Sequence, residues 1–361
     1  MTEPLLTYAA PIFALDGEVN SDLCRDLLRL EIEESTAGLK TLNARWVAQG
    51  SPGSTGDQRL LYLDGATLDF GKKLSVVLGA AAEAHTVFAG WISALEAEFQ
   101  EGVEPHVVAF AEDRLMKLRM TRRMKTYENV TDADIASAIA AEHGLQPAVD
   151  ADGPSYDVVQ QWNMSDLAFL RERAHLIKAE LWMEDETLHF QSRPRRTGTE
   201  LTLVQGNQLI ALRVRADLAH QRTKIKVSGY DAKARDRIDE EAGPEAIQAE
   251  ISSGQTGPAV LQRAFGERVS YRVRQAPLES PEASDWARAE MVRRSRAFVA
   301  VSGVTRGSAD MVVGSRLTLE RAGRPFEGGG YYVTRVRHTY DLEDGFRTHF
   351  EAERPTIQEG A

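Results

Sequence analysis

The chain has 361 residues, with 43 Lys and Arg against 54 Asp and Glu, giving a net charge of −11. That length holds two or three domains, each able to bury a core, while the acidic balance argues against a general nucleic-acid binder, which needs basic surface to displace counterions from phosphates. No apolar run reaches membrane length, and Met1 leads into Thr2–Glu3–Pro4 rather than a signal peptide, so the expected product stays in the cytoplasm unless a dedicated machine exports it.

Residues 1–22 read as an irregular lead-in to a strand. Cys24, the sole cysteine, allows no intrachain disulfide and no cysteine metal cluster, and is expected to be a partly buried bystander in a reducing compartment. From Leu28 the pattern alternates, Leu28, Leu30 and Ile32 against Arg29, Glu31 and Glu33, and Leu42, Ala44 and Trp46 continue it. Gly50 to Gly56 is a loop by composition. Phe70 to Leu74, a long run from His85 to Phe99, and Val107 to Phe110 are further strands, enough for a small barrel or sandwich.

Near Asp113 the texture changes. Arg114 to Met120 reads as a short helix and Lys125 to Val130 as a strand or turn; Thr131 then caps a helix from Asp132 to His143, with Ile135 and Ile139 inward and Gly144 ending it. The stretch from Tyr156 to Arg193 reads as strand, helix and hairpin. Ser165 caps its helix and Asp166 suits the first-turn dipole. Leu167, Leu170, Ala174 and Ile177 form an apolar stripe, with Arg171, Glu172 and Arg173 expected outside. Leu181 to Met183 and Leu188 to Phe190 flank the acidic corner Glu184–Asp185–Glu186, a hairpin pattern.

Pro194 with Arg195 and Arg196 marks a boundary, after which strands resume at Leu201–Leu203, Leu209–Val214 and Ile225–Val227. Residues 231–258 are polar and read as a mobile surface excursion. Ser280 as cap and Pro281 at the first position open a helix carrying Ala283, Trp286, Ala287 and Met291 on one face. Strands return at Met311–Val313, Leu317–Leu319, Tyr332–Tyr340 and Phe346–Ala352, the last two forming a hairpin around Asp341–Gly345. No sequence repeat is visible, yet two β regions of similar size point to a structural duplication.

No catalytic signature is present: no GxSxG elbow, HExxH, phosphate-binding P-loop or GxGxxG. Asp150–Gly153 resembles the start of a calcium loop but lacks the other ligands. His143 suits a helix end, and His338 and His349 on adjacent strands could approach each other without a third ligand. Glu96 with Glu98, and Asp341 with Asp344, read as wet sheet positions rather than acid–base pairs. Trp91, Trp162, Trp182 and Trp286 fall mostly on apolar faces, and the basic cluster Arg114, Lys117, Arg119, Arg122, Arg123 and Lys125 reads as a solvated face. No catalytic, cofactor-binding or metal residues are expected, and no cofactor.

Six stretches together resemble the late-control D family of tailed phages, which takes in the baseplate hubs of contractile phages, the hub part of VgrG and hubs of extracellular contractile injection systems. They are Val87–Ile92, Tyr127–Ile135, Ser165–Leu170, Ser284–Arg293, Tyr331–His338 and Gly345–Ala352. The resemblance implies an α+β, mainly β chain with two related β-barrel hub domains around an inserted α/β, LysM-like domain, assembling as a homotrimeric ring with a pseudo-sixfold annulus. The expected divisions are a first barrel over 1–117, completed by about 198–230, an insertion over 118–195, and a second barrel over 231–361 holding the mobile loop 231–258 and a helix over 281–298.

It further implies a structural, non-enzymatic hub joining a trimeric spike to the hexameric inner tube. Expected partners are further copies of itself, a spike protein, a tube or tube-initiator protein and baseplate wedge proteins, with no nucleic acid and no direct membrane insertion. Cytoplasmic assembly into the baseplate of a phage-tail-like particle follows. The chain ends at Ala361 without an oligonucleotide-binding-like domain or needle, so the spike is expected to be a separate protein. The alternatives are a peptidoglycan-binding or wall-degrading tail protein using the LysM-like insertion, and an enzyme on a β-barrel scaffold.

Overall fold

The computed structural model describes residues 10–50, 60–79, 85–272, 277 and 279–358. The loop expected from Gly50 to Gly56 lies, apart from Gly50, outside the described residues. Within them the fold is mainly β, and no helix is long and apolar enough to cross a membrane.

The first region holds β1 (Ile12–Leu15), β2 (Glu18–Val19), α1 (Ser21–Arg25), β3 (Leu27–Ser35), β4 (Thr41–Val47), β5 (Lys73–Leu78), β6 (His85–Glu98) and β7 (His106–Glu112). The expected alternation buries Leu30 and Ile32 on β3 and Leu42, Ala44 and Trp46 on β4. Leu28 departs from it, because a bulge between Leu27 and Arg29 shifts the phase and Leu27 takes the buried place. The length of β6 has a cause: its first half pairs with β5 and its second half with β7.

An α/β unit follows: α2 (Leu115–Met120), β8 (Arg122–Thr131), α3 (Asp132–Glu142), β9 (Gln146–Asp150), β10 (Ser155–Ser165), α4 (Asp166–Leu176), β11 (Ala179–Glu184) and β12 (Thr187–Ser192). Thr131 and Asp134 form a reciprocal capping box on α3, and the Ser165 hydroxyl accepts the Ala168 N–H at the start of α4. Leu167, Leu170, Ala174 and Ile177 are buried as their spacing requires. Arg173, expected outside, turns inward because Asp132 on α3 supplies a buried counter-charge. Trp162, expected on an apolar face, is 67% exposed. It sits on the two-stranded β8–β10 ribbon beside a register shift at Asn163, whose positive φ breaks the alternation.

The remaining elements are β13 (Glu200–Val204), β14 (Leu209–Ala216), β15 (Lys224–Asp231), β16 (Asp236–Ala242), β17 (Gln255–Thr256), α5 (Gly257–Phe265), β18 (Val269–Arg272) and α6 (Ser280–Arg296). Then come β19 (Val299–Arg306), β20 (Arg316–Glu320), β21 (Gly328–Asp341), β22 (Gly345–Arg354) and β23 (Thr356–Ile357). The stretch 231–258 is regular rather than an excursion, since β16 pairs with β15 and buries Ile238 and Ala242, while Ile247 is buried beyond it. Two apolar residues among seven make too faint an alternation to read in sequence. Helix α6 starts at Ser280 with no side-chain cap, so Ser280 is its first residue and Pro281 lies in its first turn. Met311 and Val313 are buried without forming a strand, because the chain turns at Gly314, whose φ is 98°.

Thirteen strands of both β regions form one sheet, in the order β14-β19-β22-β21-β3-β4-β7-β6-β5-β1-β2, with β20 also on β21 and β13 on β20. The long β21 joins the two regions. One of its edges pairs with β22, and the other pairs first with β20 and then with β3. Against the expected pair of barrels, the described strands form an open sheet and no closed barrel. Residues 198–230, expected to complete the first barrel, instead send β13 to β20 and β14 to β19, both late strands.

Among the described residues three apolar cores result. One lies among β1 to β7 around Phe13, Trp46 and Phe88; another gathers Phe298, Tyr331, Val336 and Phe350. The third fills the α/β unit and extends to Ile225, Val227, Ile238, Trp286 and Met291, so β15, β16 and α6 pack on that unit.

Candidate functional site

Burying a charge is costly unless it is paired, so the buried polar groups of this chain gather in partnered clusters. The densest gathering lies where the α/β unit meets the large sheet. Arg193 donates to Glu180 at 2.9 Å and to Glu353 at 2.6 Å. Arg196 donates to Glu34, and its guanidinium lies over the Trp182 ring at 4.7 Å. The Tyr332 hydroxyl donates to Glu180 at 2.6 Å, with Arg193 and Arg316 over its ring at 4.1 and 4.4 Å. Lys40 pairs with Glu34 at 2.9 Å. Burial opposes ionisation of Glu34, yet Lys40 and Arg196 beside it hold its carboxyl below the usual range. Burial likewise disfavours the Arg193 charge, but Glu353 and Glu180 more than offset that. Arg195 and Arg196 were legible only as a boundary; that Arg196 is buried follows from the fold alone.

The α/β unit holds two further buried acids. Asp132 accepts from Arg173 and from the Tyr156 hydroxyl, at 2.9 Å for the latter. Asp166 accepts from Arg123 at 2.9 Å and from Gln161 at 2.8 Å, and meets His143 Nε2 at 2.8 Å. A histidine on a buried carboxylate is half of a hydrolytic triad, but this carboxylate is shared among three partners. The contact ties the end of α3 to the start of α4, so His143 has the helix-end place expected of it.

The residues weighed in sequence are dispersed. His338 and His349 do not meet: in register His338 faces Thr348 and Arg337 faces His349, which puts the two imidazoles on opposite faces of the sheet. His338 bonds the Thr348 hydroxyl at 3.1 Å, and burial, with Lys40 behind it, pushes the imidazole down to about 4. Glu98 pairs with Arg45 at 2.9 Å, and Asp341 accepts the N–H groups of Glu343 and Asp344 to close the hairpin turn. Asp150 pairs with Arg195 at 2.6 Å. No group of three metal-ligating side chains occurs among the described residues. The basic cluster is largely spoken for: Arg114 by Glu186, Arg119 by Glu112, Arg123 and Lys125 by Glu142. Trp182 and Trp286 are buried as expected, while Trp91 carries Arg114 and Lys117 over its ring.

A cleft of about 600 Å³ runs between the first half of β6 and the β11–β12 hairpin tip, and adjoins a second of about 330 Å³ with which it shares Lys40, Thr86 and Val87. Its buried acid, Asp113, is pushed up to about 6 by burial, but both its oxygens already accept backbone N–H groups, of Lys40 at 2.8 Å and Leu115 at 2.9 Å. Lys40 is engaged by Glu34 and Arg114 by Glu186. Asp113, Lys40, Arg114 and Glu186 of this cleft are therefore committed to holding the fold.

The Alg8 N-terminal domain family matches residues 51–341. No curated protein sequence matches the chain. Among solved structures, the 43 kDa tail protein of prophage MuSo2 from Shewanella oneidensis is similar with a TM-score of 0.70 at 13% identity, covering 96% of this chain and 98% of that one. A component of the E. coli type VI secretion system, itself similar to T4 phage tail proteins, aligns with a TM-score of 0.57 at 13% identity over 93% of this chain and 76% of its own. A chain of a Francisella PdpA–VgrG complex aligns with a TM-score of 0.53 at 9% identity, covering 99% of this chain and 56% of that one. At these identities the likeness is one of fold.

Proposed function

We propose that this chain, which belongs to the Alg8 N-terminal domain family, is the structural baseplate hub of a contractile injection machine, a reading drawn from the fold it shares with tail proteins. In this reading three copies form a ring of two related β regions each, with the α/β unit as a LysM-like insertion. The ring seats a spike on one side and joins the hexameric inner tube on the other. Assembly takes place in the cytoplasm, and wedge proteins surround the ring in the finished particle.

The observation that carries this reading is the end-to-end match to a phage tail protein, over 96% of one chain and 98% of the other. The likeness to a type VI component and to a VgrG-containing complex supports a place near the spike. The commitment of the buried charges to one another, rather than to an open cleft, supports a structural role over a catalytic one.

Affinity purification of the tagged chain from its native cell, with mass spectrometry of what accompanies it, tests the proposal. Tube, sheath, spike and wedge proteins are expected. Recovery with wall fragments and no tube protein would instead support glycan binding through the α/β unit.

A further inference from the structure

The large sheet is open at both ends, and the two ends carry opposite charge. At one end β14 pairs along its length only with β19 among the described residues, and apart from a single bridge from Leu209 to Gln205 the other side of its backbone has no strand partner there. A bulge between Leu209 and Ala211 turns Ile210 outward, 51% exposed. Along this edge runs a groove of about 370 Å³ lined by Leu209, Ile210, Leu212, Val214, Ala322 and Phe326. Arg213 and Arg215 are exposed on the same strand, Arg215 already paired with Asp217, and Arg321 stands at the groove. At the other end the sheet finishes in β1 and the two-residue β2, where Val19 is 68% and Ile12 41% exposed, with the exposed acids Asp16 and Glu18 close by in sequence and Asp22 paired there with Arg25.

A free strand edge beside an apolar groove is a template for another chain, and folded proteins cover or blunt such edges. We propose that the β14 edge receives the β1–β2 end of a second copy of this chain, head to tail. Two observations select this occupant. The arginines of one end face the acids of the other, and each end exposes apolar side chains that the contact would bury. Pairing β14 with another β14 would instead set Arg213 of one copy beside Arg213 of the other with no acid on the strand to answer it, which like charges across a strand pair disfavour. A head-to-tail contact joins two different surfaces and closes into a ring when its rotation allows, which is what a threefold hub requires. The inference thus rests on the ring reading above and assigns that ring its interface.

Light scattering and sedimentation of the full chain over a wide concentration range test it, with circular dichroism to check that variants fold. The wild type should self-associate. Ile210→Asp, at an exposed position, should raise the dissociation constant by about tenfold or more. Arg213→Glu should weaken assembly too, and adding Glu18→Arg should restore it. In a Cys24→Ser background, a short bismaleimide should link Ile210→Cys chains to Val19→Cys chains when the two are mixed. Normal assembly by Ile210→Asp, or cross-linking of Ile210→Cys to itself, overturns this interface and leaves the ring reading standing. A wild type that stays a single chain at every concentration overturns both.

Discussion

In the α/β unit the buried acids find their partners within the unit: Asp132 on α3 meets Arg173 on the next helix, α4, 41 residues on, and Asp166 meets Arg123 and His143. Where that unit meets the large sheet, the partners come from far along the chain. Arg196 and Glu34 lie 162 residues apart, Arg193 and Glu353 160, and Tyr332 and Glu180 152. The first kind of pair stabilises a piece that its local sequence already specifies. The second kind orients pieces against each other, because each guanidinium reaches its carboxylate in only one arrangement. The difference teaches that buried charge in this chain works at two ranges, and that the long-range set belongs to the assembled fold.

The largest effect should come from removing the apolar frame on which both kinds depend. Val336 is 3% exposed, on the strand that joins the two β regions, and a carboxylate there has no partner. Val336→Asp should destabilise by about 4 kcal/mol or more and leave no soluble folded chain. Recovery of a chain that melts like the wild type would show that this strand is misplaced.

Next in size is the contrast between the two ranges. Arg196→Ala strips a shared counter-charge from Glu34 and Glu180 at once, each keeping one other cation, Lys40 and Arg193, and should cost about 3 kcal/mol. Hydrogen exchange should then rise on β3, β11 and β21 together. Asp166→Asn should cost less, about 1–3 kcal/mol, because Arg123 keeps Glu142 as a partner. Its exchange should rise only at the end of α3 and the start of α4. Equal losses with the same exchange pattern would erase the distinction.

Two buried groups pull stability in opposite directions as pH changes. His338 binds its proton only near pH 4 when folded but near 6.5 when unfolded, so its contribution is full above 6.5 and lost as pH falls toward 4. Asp113 takes up its proton at about 6 when folded and near 3.8 when unfolded, so acidification below 6 favours the fold at that site. Each is worth about 3 kcal/mol at most, and they largely offset each other. His338→Gln should therefore lose less stability than the wild type between pH 7 and 5, and Asp113→Asn should lose more, by urea denaturation at both values. The reverse order would mean that these groups are not buried as described.

The smallest effect should be Thr131→Ala, which removes half of a capping box and should cost about 1 kcal/mol in thermal melting. A loss as large as that of Arg196→Ala would mean that local and long-range contacts do not differ in kind.

What could be read without coordinates follows the same division. The caps Thr131 and Ser165, the stripe on α4, the β11–β12 hairpin and the terminal β21–β22 hairpin were legible, because each rests on residues a few positions apart. The phase of β3, the exposure of Trp162 and the inward turn of Arg173 were not, since a bulge or a distant counter-charge decides them. Nor was β16, whose apolar face is completed by β15 and α6 rather than by itself. By itself, then, the order of residues determined the local elements, the mainly β character and the want of a catalytic motif. The tertiary structure alone decided that both β regions share one open sheet through β21, which charges are buried at its junction, and which strand edges are left free. Pairing across some 150 residues depends on which edges remain once nearer partners are satisfied, and no short window of sequence carries that information.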